Sequence, residues 1–313
     1  MQLVANLDCE ARWAGVTLPA AVRARISLYA TLFAACAPDD RAHEVWVPAE
    51  VDAGRLLAHP GWTPPVVRVG APESAELRWA QPGAREANDR ARTLAMAEAI
   101  GVALPGARLV ASLAELDAHL ASRPPGAWVC KARWTAAGRD RAHGDGARVE
   151  GELRRRLERM LARLGPLVFE PWLDRRADFG TCGELRPDGA VELHAPHTLR
   201  SDARGGFLGI ELSPPDDPAV TEALLTTARA AAEQLAATGY RGPFAIDAFT
   251  YAEPDGRTRI HPLCELNARY SFGWIARGLA RRLGVRRLGF DPAPAGARVL
   301  IVPGPDRVTA WCA

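Results

Sequence analysis

The sequence predicts an α/β (α+β) protein, with a small α/β unit in front of a larger region of helices and antiparallel hairpins. Three observations carry this. Residues 1–85 run strand, helix, strand, strand, with apolar "MQLVANL", "EVWVP" and "PPVVRVG" set around an amphipathic "PAAVRARISLYATLFAAC". Further on, "RPDG" and "EPDG" each stand between two long alternating segments, the pattern of a β-hairpin. At 313 residues and 48% hydrophobic content the chain can bury a sizeable core, and it carries no solenoid-type repeat.

The elements follow in order. A Gly/Pro/Glu-rich stretch, "GAPESAELRWAQPGAREAND", leads to a helix over about 88–100. Then "ARLVAS" reads as a strand, "LAELDAHLAS" as a helix, "AWVCKARW" as a strand, and "TAAGRDRAHGDG" (135–146) as a loop of glycine and small residues. "GELRRRLERMLARLG" puts Leu153, Leu157, Met160, Leu161 and Leu164 on one stripe, so it reads as an amphipathic helix with a solvated basic face. "PLVFEPWLD" is a strand running into a connector. "ADFGTCGEL" and "AVELHAPHTL" form the first hairpin, and "GGFLGIEL" is a further strand. A long helix, "DPAVTEALLTTARAAAEQLAATG", precedes the second hairpin, "GPFAIDAFTYA" with "RTRIHPLCELNARY". Helix "SFGWIARGLARRLG" and a hairpin in "ARVLIVPGPDRVTAWC" complete the pattern. No GxGxxG follows the first strand, so a dinucleotide site there is unsupported.

Composition narrows the function classes. With 39 basic and 37 acidic residues the net charge is +2, which predicts neither a nucleic-acid surface nor a membrane surface. Nothing approaches a run of about eighteen apolar residues, so no membrane span is expected. "MQLVANLDCEARW" lacks a charged segment followed by a long apolar one, so no secretion signal is expected either. Six cysteines are scattered without CxxC or zinc spacing. They read as reduced thiols packed as small hydrophobes, and the expected compartment is the cytoplasm. Oligomeric state has no signal in the sequence.

Two features carry chemistry. Of the 39 basic residues, Lys131 is the single lysine and all the others are arginine. A planar guanidinium does not replace a compact ammonium in a tight phosphate site, which is one reason for a lysine to persist. Chance survival is the alternative, and the strand setting beside Trp128 and Val129 argues against it. The second feature is "CELNAR". Glu265, Asn267 and Arg269 are two residues apart and share a strand face, with Cys264, Leu266 and Ala268 expected on the other. A buried stripe of this kind needs a side chain, water or a cation as partner.

Taken together and in order, five segments over roughly residues 86–285 resemble the ATP-grasp superfamily, whose members include D-alanine–D-alanine ligase, glutathione synthetase and biotin carboxylase. The resemblance implies a small N-terminal pre-ATP-grasp domain (1–85) followed by a two-lobed ATP-grasp fold. The small lobe (86–170) would hold the phosphate lysine and a glycine-containing loop, and the C-terminal lobe (171–313) the metal-binding hairpin. "NDRARTLAMAEAIGVALP" is similar to the family's opening helix, with Arg90 where a phosphate-binding lysine usually stands. Arg92 is the alternative, and a plain helix-surface arginine is the competing reading. "VCKARWTAAGRD" resembles the phosphate strand and loop, implying phosphate contacts from Lys131 and from backbone N–H groups of Thr135, Ala136, Ala137 and Gly138.

"LVFEPWLDRRAD" resembles the hinge strand. Glu170 would accept the exocyclic amine of adenine, Trp172 and Leu173 would frame the ring edge, and Asp178 would hold ribose hydroxyls, with Asp174 competing for that role. "FAIDAF" and "CELNAR" resemble the two metal strands, which implies Asp247, Glu265 and Asn267 as ligands to Mg²⁺, expected as two ions, with Mn²⁺ as a substitute. Two carboxylates and an amide suit a hard cation that also takes phosphate oxygens and water. Arg269 and Arg200 would be the catalytic arginines at the phosphate end. His194 and His197 read as surface histidines or as substrate contacts.

Hairpin geometry sets a condition on the metal reading. A two-residue loop at 255–256 would put Asp247 and Glu265 on opposite faces, whereas a loop at 254–256, or one bulge, brings them to the same face. Otherwise the acid would be a buried partner of Arg269 or Arg200. The expected activity is ATP-dependent ligation of a small carboxylate to an amine, or less often a thiol, through an acyl phosphate. A small-molecule kinase on the same fold and a non-catalytic ATP-binding regulator are the alternatives. The substrates themselves have no readable code.

Overall fold

The computed structural model describes residues 1–39, 43–134, 140–202 and 206–313. At the N-terminus β1 (Gln2–Val4), β2 (Glu44–Val47), β3 (Val66–Val69) and β4 (Leu77–Arg78) form a parallel sheet in the order β3-β2-β1-β4. Parallel neighbours cannot be joined by a tight turn, so the chain crosses from β1 to β2 through α1 (Cys9–Trp13) and α2 (Ala20–Ala30), which tightens into a 3-10 segment, Thr31–Cys36. Leu3, Phe33, Ala35 and Val45 are fully buried there. Strand β4 lies in the Gly/Pro/Glu-rich stretch and was not expected. It has two residues, too few to show a period, and its pairing with β1 defines it.

Next come α3 (Ala84–Ala87) and α4 (Arg90–Ala99), the latter started by Asp89, whose side chain accepts from the Ala91 backbone N–H at 2.9 Å. The small lobe is an antiparallel sheet of β5 (Arg108–Val110), β6 (Trp128–Lys131), β7 (Arg141–Gly144) and β8 (Leu167–Pro171), in the order β5-β8-β6-β7. Helices α5 (Leu113–Ala121) and α6 (Gly151–Leu164) cover one face. Alternation sorts the side chains. Trp128, Cys130, Leu167 and Phe169 enter the core with Leu116, Leu120, Leu157 and Met160, which turns Lys131 and Glu170 to the opposite face. Strand β7 corrects the reading of 135–146 as a loop throughout. Gly144 lies under the Trp128 ring, where a Cβ would stand 2.0 Å from a ring carbon, so glycine there serves close packing rather than a flexible loop.

The large lobe contains β9 (Asp174–Leu185), β10 (Val191–Leu193), β11 (His197–Ser201), β12 (Phe207–Glu211), α7 (Pro218–Ala237), β13 (Gly242–Ala252), β14 (Thr258–Asn267), α8 (Phe272–Leu283), β15 (Arg287–Gly289), β16 (Arg298–Ile301) and β17 (Ala310–Cys312). Its nine-stranded sheet runs β14-β13-β9-β11-β12-β15-β17-β16, with β10 paired to β9. The segment "AVELHAPHTL", expected as one strand, is split into β10 and β11, which pair with successive parts of β9. Helix α7 packs Ala228, Ala231 and Leu235 on Ile246, Leu263 and Leu266, a cluster that also takes Met96 and Ala97 of α4. Helix α8 joins the large lobe to the N-terminal unit. A Cβ at Gly278 would come within 2.1 Å of the Ala35 carbonyl, so only glycine lets the two backbones approach. Among the described residues no helix is long and apolar enough to cross a membrane.

His197 corrects the surface reading. It is 2% exposed, and its ring fills the space over Gly180 and Gly273, where a Cβ would meet it at 2.5 and 2.9 Å. Burial, then Arg277 and His194, lower its pKa to about 3; burial likewise lowers His261 to about 4, with Lys131 and Arg175 assisting and Glu170 opposing. Both rings are therefore neutral in the folded protein near pH 5, whereas the unfolded chain takes up protons below about 6.5. Their contribution to stability is complete above that value and is lost as pH falls towards 4. Urea unfolding from pH 7 to 5 should show this as a loss of up to about 1.4 kcal/mol per pH unit per histidine. His197→Gln and His261→Gln should each flatten that slope, and an unchanged slope in both would rule the assignment out.

Candidate functional site

The small-lobe face left free by α5 and α6 carries a buried ion pair. Lys131 Nζ lies 2.5 Å from Glu170 Oε2, both side chains being 14% exposed. Burial works against both charges, but each holds the other ionised: Glu170 keeps the ammonium pKa above its usual value, and Lys131 keeps the carboxyl below its own. Arg90, the first residue of α4, reaches across to the large lobe. Its Nη2 is 2.8 Å from Glu265 Oε1 and its Nη1 donates to the Ala132 carbonyl at 3.0 Å. Arg92 is exposed, so of the two arginines Arg90 is the one turned to the site. Arg90, Glu170, His261, Leu263 and Cys264 line one small cavity between the lobes.

The second hairpin meets its geometric condition through the odd-length loop, and a bulge then sets the exact pairing. Its loop is residues 253–257, odd in length, closed by Glu253 N–H to the Arg257 carbonyl at 2.9 Å, with Ala252 opposite Thr258. Farther in, a bulge sets 262–264 against Ala248 and leaves Asp247 directly opposite Glu265. Asn267 Nδ2 donates to Asp247 Oδ2 at 3.3 Å. Burial, and then the Glu265 carboxylate, push the Asp247 pKa up to about 7. The same bulge breaks the alternation expected at Cys264. Its Sγ is 3.7 Å from Arg175 Nη2 and it lines the cavity with Glu170, so it faces the site rather than away from it.

Arg269 continues this stripe. Its Nη2 donates to Asn267 Oδ1 at 2.8 Å, its Nη1 to the Tyr270 carbonyl at 2.9 Å, and its Nε to Glu10. Glu10 belongs to α1, so a hydrogen-bonded chain runs from the N-terminal unit through Arg269 and Asn267 to Asp247. Burial works to raise the Glu10 pKa, but Arg269 together with hydrogen bonds from the backbone and Cys9 holds the carboxyl below its usual range.

The hinge residues lie at the end of β8. Trp172 is 37% exposed, its ring edge-on to His143 at 4.4 Å, and Leu173 is half-buried beside it. Of the two candidate acids, Asp174 is exposed and paired with Arg176, whereas Asp178 sits opposite Phe249 on the face of Asp247 and accepts from Arg175 and from Ser201 Oγ, each at 3.2 Å. Arg175 was missed. Its guanidinium lies 3.9 Å over the Phe249 ring and 5.5 Å from Trp172, a planar cation in the middle of the hinge residues. In "DRRAD" nothing separates it from its neighbour Arg176, because strand parity is not legible at the start of β9. Glu10 was missed for a similar reason, since its partner is 259 residues away in the chain.

Arg200 is not brought to this site. Register pairs Leu199 with Asp178, so Arg200 points to the other face of β11, where it pairs with Asp291 at 2.9 Å and lies over the Trp311 ring. Gly138, with Thr135, Ala136 and Ala137, falls outside the described residues.

The donor set fits a divalent cation that shares its shell with phosphates. Asp247 stands opposite Glu265, whose charge disfavours its own, and the Asn267 amide lies beside Asp247 with its nitrogen turned to that carboxylate and its oxygen to Arg269. Among the described residues no group of three or more His, Cys, Asp or Glu side chains is placed to hold a metal by itself.

No protein-family model and no curated protein matches the sequence. Solved structures do match the fold. The biotin carboxylase domain of Hydrogenobacter thermophilus 2-oxoglutarate carboxylase, solved with MgADP, ADP and bicarbonate, superposes with a TM-score of 0.61 at 14% identity over 99% of this chain and 85% of that one. N5-carboxyaminoimidazole ribonucleotide synthetase from Thermus thermophilus gives 0.59 at 16% identity, over 100% and 93%. D-cycloserine synthetase DcsG gives 0.53 at 20% identity, over 90% and 99%. At such identities the likeness is one of architecture, and together with the strand order and the paired lobes it establishes that this chain has the ATP-grasp fold.

Proposed function

We propose that the protein is an ATP-dependent ligase that joins a small carboxylate to an amine, forming ADP and phosphate. The observation that carries this reading is the placement of Asp247 opposite Glu265 on β13 and β14, with Lys131 and Arg90 reaching the same space from the small lobe. One carboxylate oxygen of the substrate attacks the γ-phosphorus and ADP leaves; the amine then attacks the acyl carbon, and phosphate departs with that oxygen as the amine loses a proton. Charge neutralisation and positioning are what such phosphoryl transfer asks of a protein. Lys131 and Arg90 would hold phosphate oxygens, and Glu170, Trp172, Leu173 and Asp178 the nucleoside. Arg269, held in place by Glu10, would face the acyl phosphate. Mg²⁺ held by Asp247, Glu265 and Asn267 would supply charge neutralisation at the phosphates. The biotin carboxylase domain solved with MgADP supports the choice of an adenine nucleotide, and Arg200 has no part in it.

The test is ADP and phosphate release with ATP and Mg²⁺ across a panel of small acids and amines. Release should require both an acid and an amine, and a carboxylate labelled with ¹⁸O should pass one labelled oxygen into the phosphate. A stable phosphorylated alcohol with no free phosphate would replace the ligase by a kinase. A protein that binds nucleotide but releases no ADP with any pair would be a regulator.

A further inference from the structure

We propose that Arg90 is a built-in counter-cation of the metal site. In the nucleotide-free protein its guanidinium neutralises Glu265 in place of a divalent ion, and nucleotide phosphates draw it away, so that metal and nucleotide enter together. The inference rests on the reading above in one respect only, that Asp247 and Glu265 take a divalent cation beside a nucleotide's phosphates.

The geometry sets up this exchange. Asp89 caps α4, and the Arg90 backbone N–H donates to the Arg133 carbonyl at 3.2 Å, so the root of the side chain is fixed where the lobes meet. From there the two ends of the guanidinium divide. Nη1 holds the Ala132 carbonyl at 3.0 Å, one residue beyond Lys131, and Nη2 holds Glu265 Oε1 at 2.8 Å. The Arg90 side chain is 12% exposed, so solvent screens this pair little on the arginine side. A Mg²⁺ or Mn²⁺ ion bound by Glu265 would stand within a few ångströms of that guanidinium, a like-charge contact in a partly dehydrated site. Metal binding without nucleotide must therefore displace Arg90 from Glu265. Phosphate oxygens accept the same fork geometry and relieve that cost.

An arginine suits this exchange better than a lysine. The planar fork can keep Ala132 on one nitrogen while the other changes partner, whereas a single ammonium would have to carry both contacts from one point. Lys131 repeats the arrangement next door, stored on Glu170, the carboxylate assigned to the base. The coupling is reciprocal: whatever factor nucleotide adds to metal affinity through Arg90, metal adds to nucleotide affinity.

The test is Mn²⁺ binding to the full chain, read by electron paramagnetic resonance of the free ion, with and without a non-hydrolysable ATP analogue. Without nucleotide, Arg90→Gln should bind Mn²⁺ about tenfold more tightly than the wild type. Arg90→Met, which keeps the packing of the stem, should do the same, and Arg90→Lys should stay near the wild-type value. Adding Glu265→Gln to Arg90→Gln should abolish the gain, which ties it to this carboxylate among the many acidic residues of the surface. Equal nucleotide-free affinities in the wild type and in both neutral variants would overturn the proposal while leaving the metal site standing. No Mn²⁺ binding in any variant even with the analogue present would overturn the metal site, and this inference with it.

Discussion

Lys131→Ala should reduce ATP turnover by about 100- to 1,000-fold, the usual cost of losing one charge-stabilising donor at a transferring group. Nucleotide affinity should fall with it. The same change leaves Glu170 buried without its ammonium, so stability should fall too, by up to about 3 kcal/mol. These effects separate in a double variant. Adding Glu170→Gln removes the stranded charge and should restore most of the unfolding free energy, measured in urea, while turnover stays low. Turnover near wild type in Lys131→Ala would sink the phosphate role. Chemical labelling gives an independent check, because an amine-reactive ATP analogue can attack only Lys131 and the N-terminal amine. Glu170 raises the Lys131 pKa and so reduces its neutral, reactive fraction. Glu170→Gln should therefore accelerate labelling, provided the nucleotide moiety still docks. Label mapped elsewhere by mass spectrometry would count against the placement.

Glu265→Gln and Asp247→Asn should each raise the Mg²⁺ concentration needed for half-maximal turnover by at least about 10- to 100-fold, since even partners behind a metal ligand are worth that much. Nucleotide affinity without metal should change far less. Cys264→Ala is the informative contrast. Strict alternation would make it a distant packing change, but the bulge on β14 brings its thiol to Arg175 and the cavity. It should therefore alter nucleotide affinity and leave the Mg²⁺ requirement alone. A Mg²⁺ titration in which Cys264→Ala shifts and Glu265→Gln does not would reverse the assignment.

Much of the site was legible because it is local. Glu265, Asn267 and Arg269 read as a stripe from spacing alone, and Lys131 stands out in a chain otherwise without lysine. The second hairpin followed from "EPDG", and α4 from the helical stretch over about 88–100. Arg175 and Arg176 were indistinguishable, because a face is defined only once a strand has a partner. Arg200 sits at the end of a real strand, but its face depends on how Leu199 registers with Asp178.

The sequence by itself determined the class of fold, the order of most strands and helices, and which side chains are candidates for phosphate and metal. Those properties depend on neighbours a few residues apart, where turn geometry, alternation and charge type act directly. Only the tertiary structure decided which of those side chains meet. Asp247 faces Glu265 because of a bulge, Arg90 reaches Glu265 across 175 residues of chain, and Glu10 reaches Arg269 across 259. The cysteine expected to point away lines the site instead. The reason is that register and lobe packing are set by the summed burial of cores such as Leu263 and Leu266 on α7, and no local pattern encodes that sum.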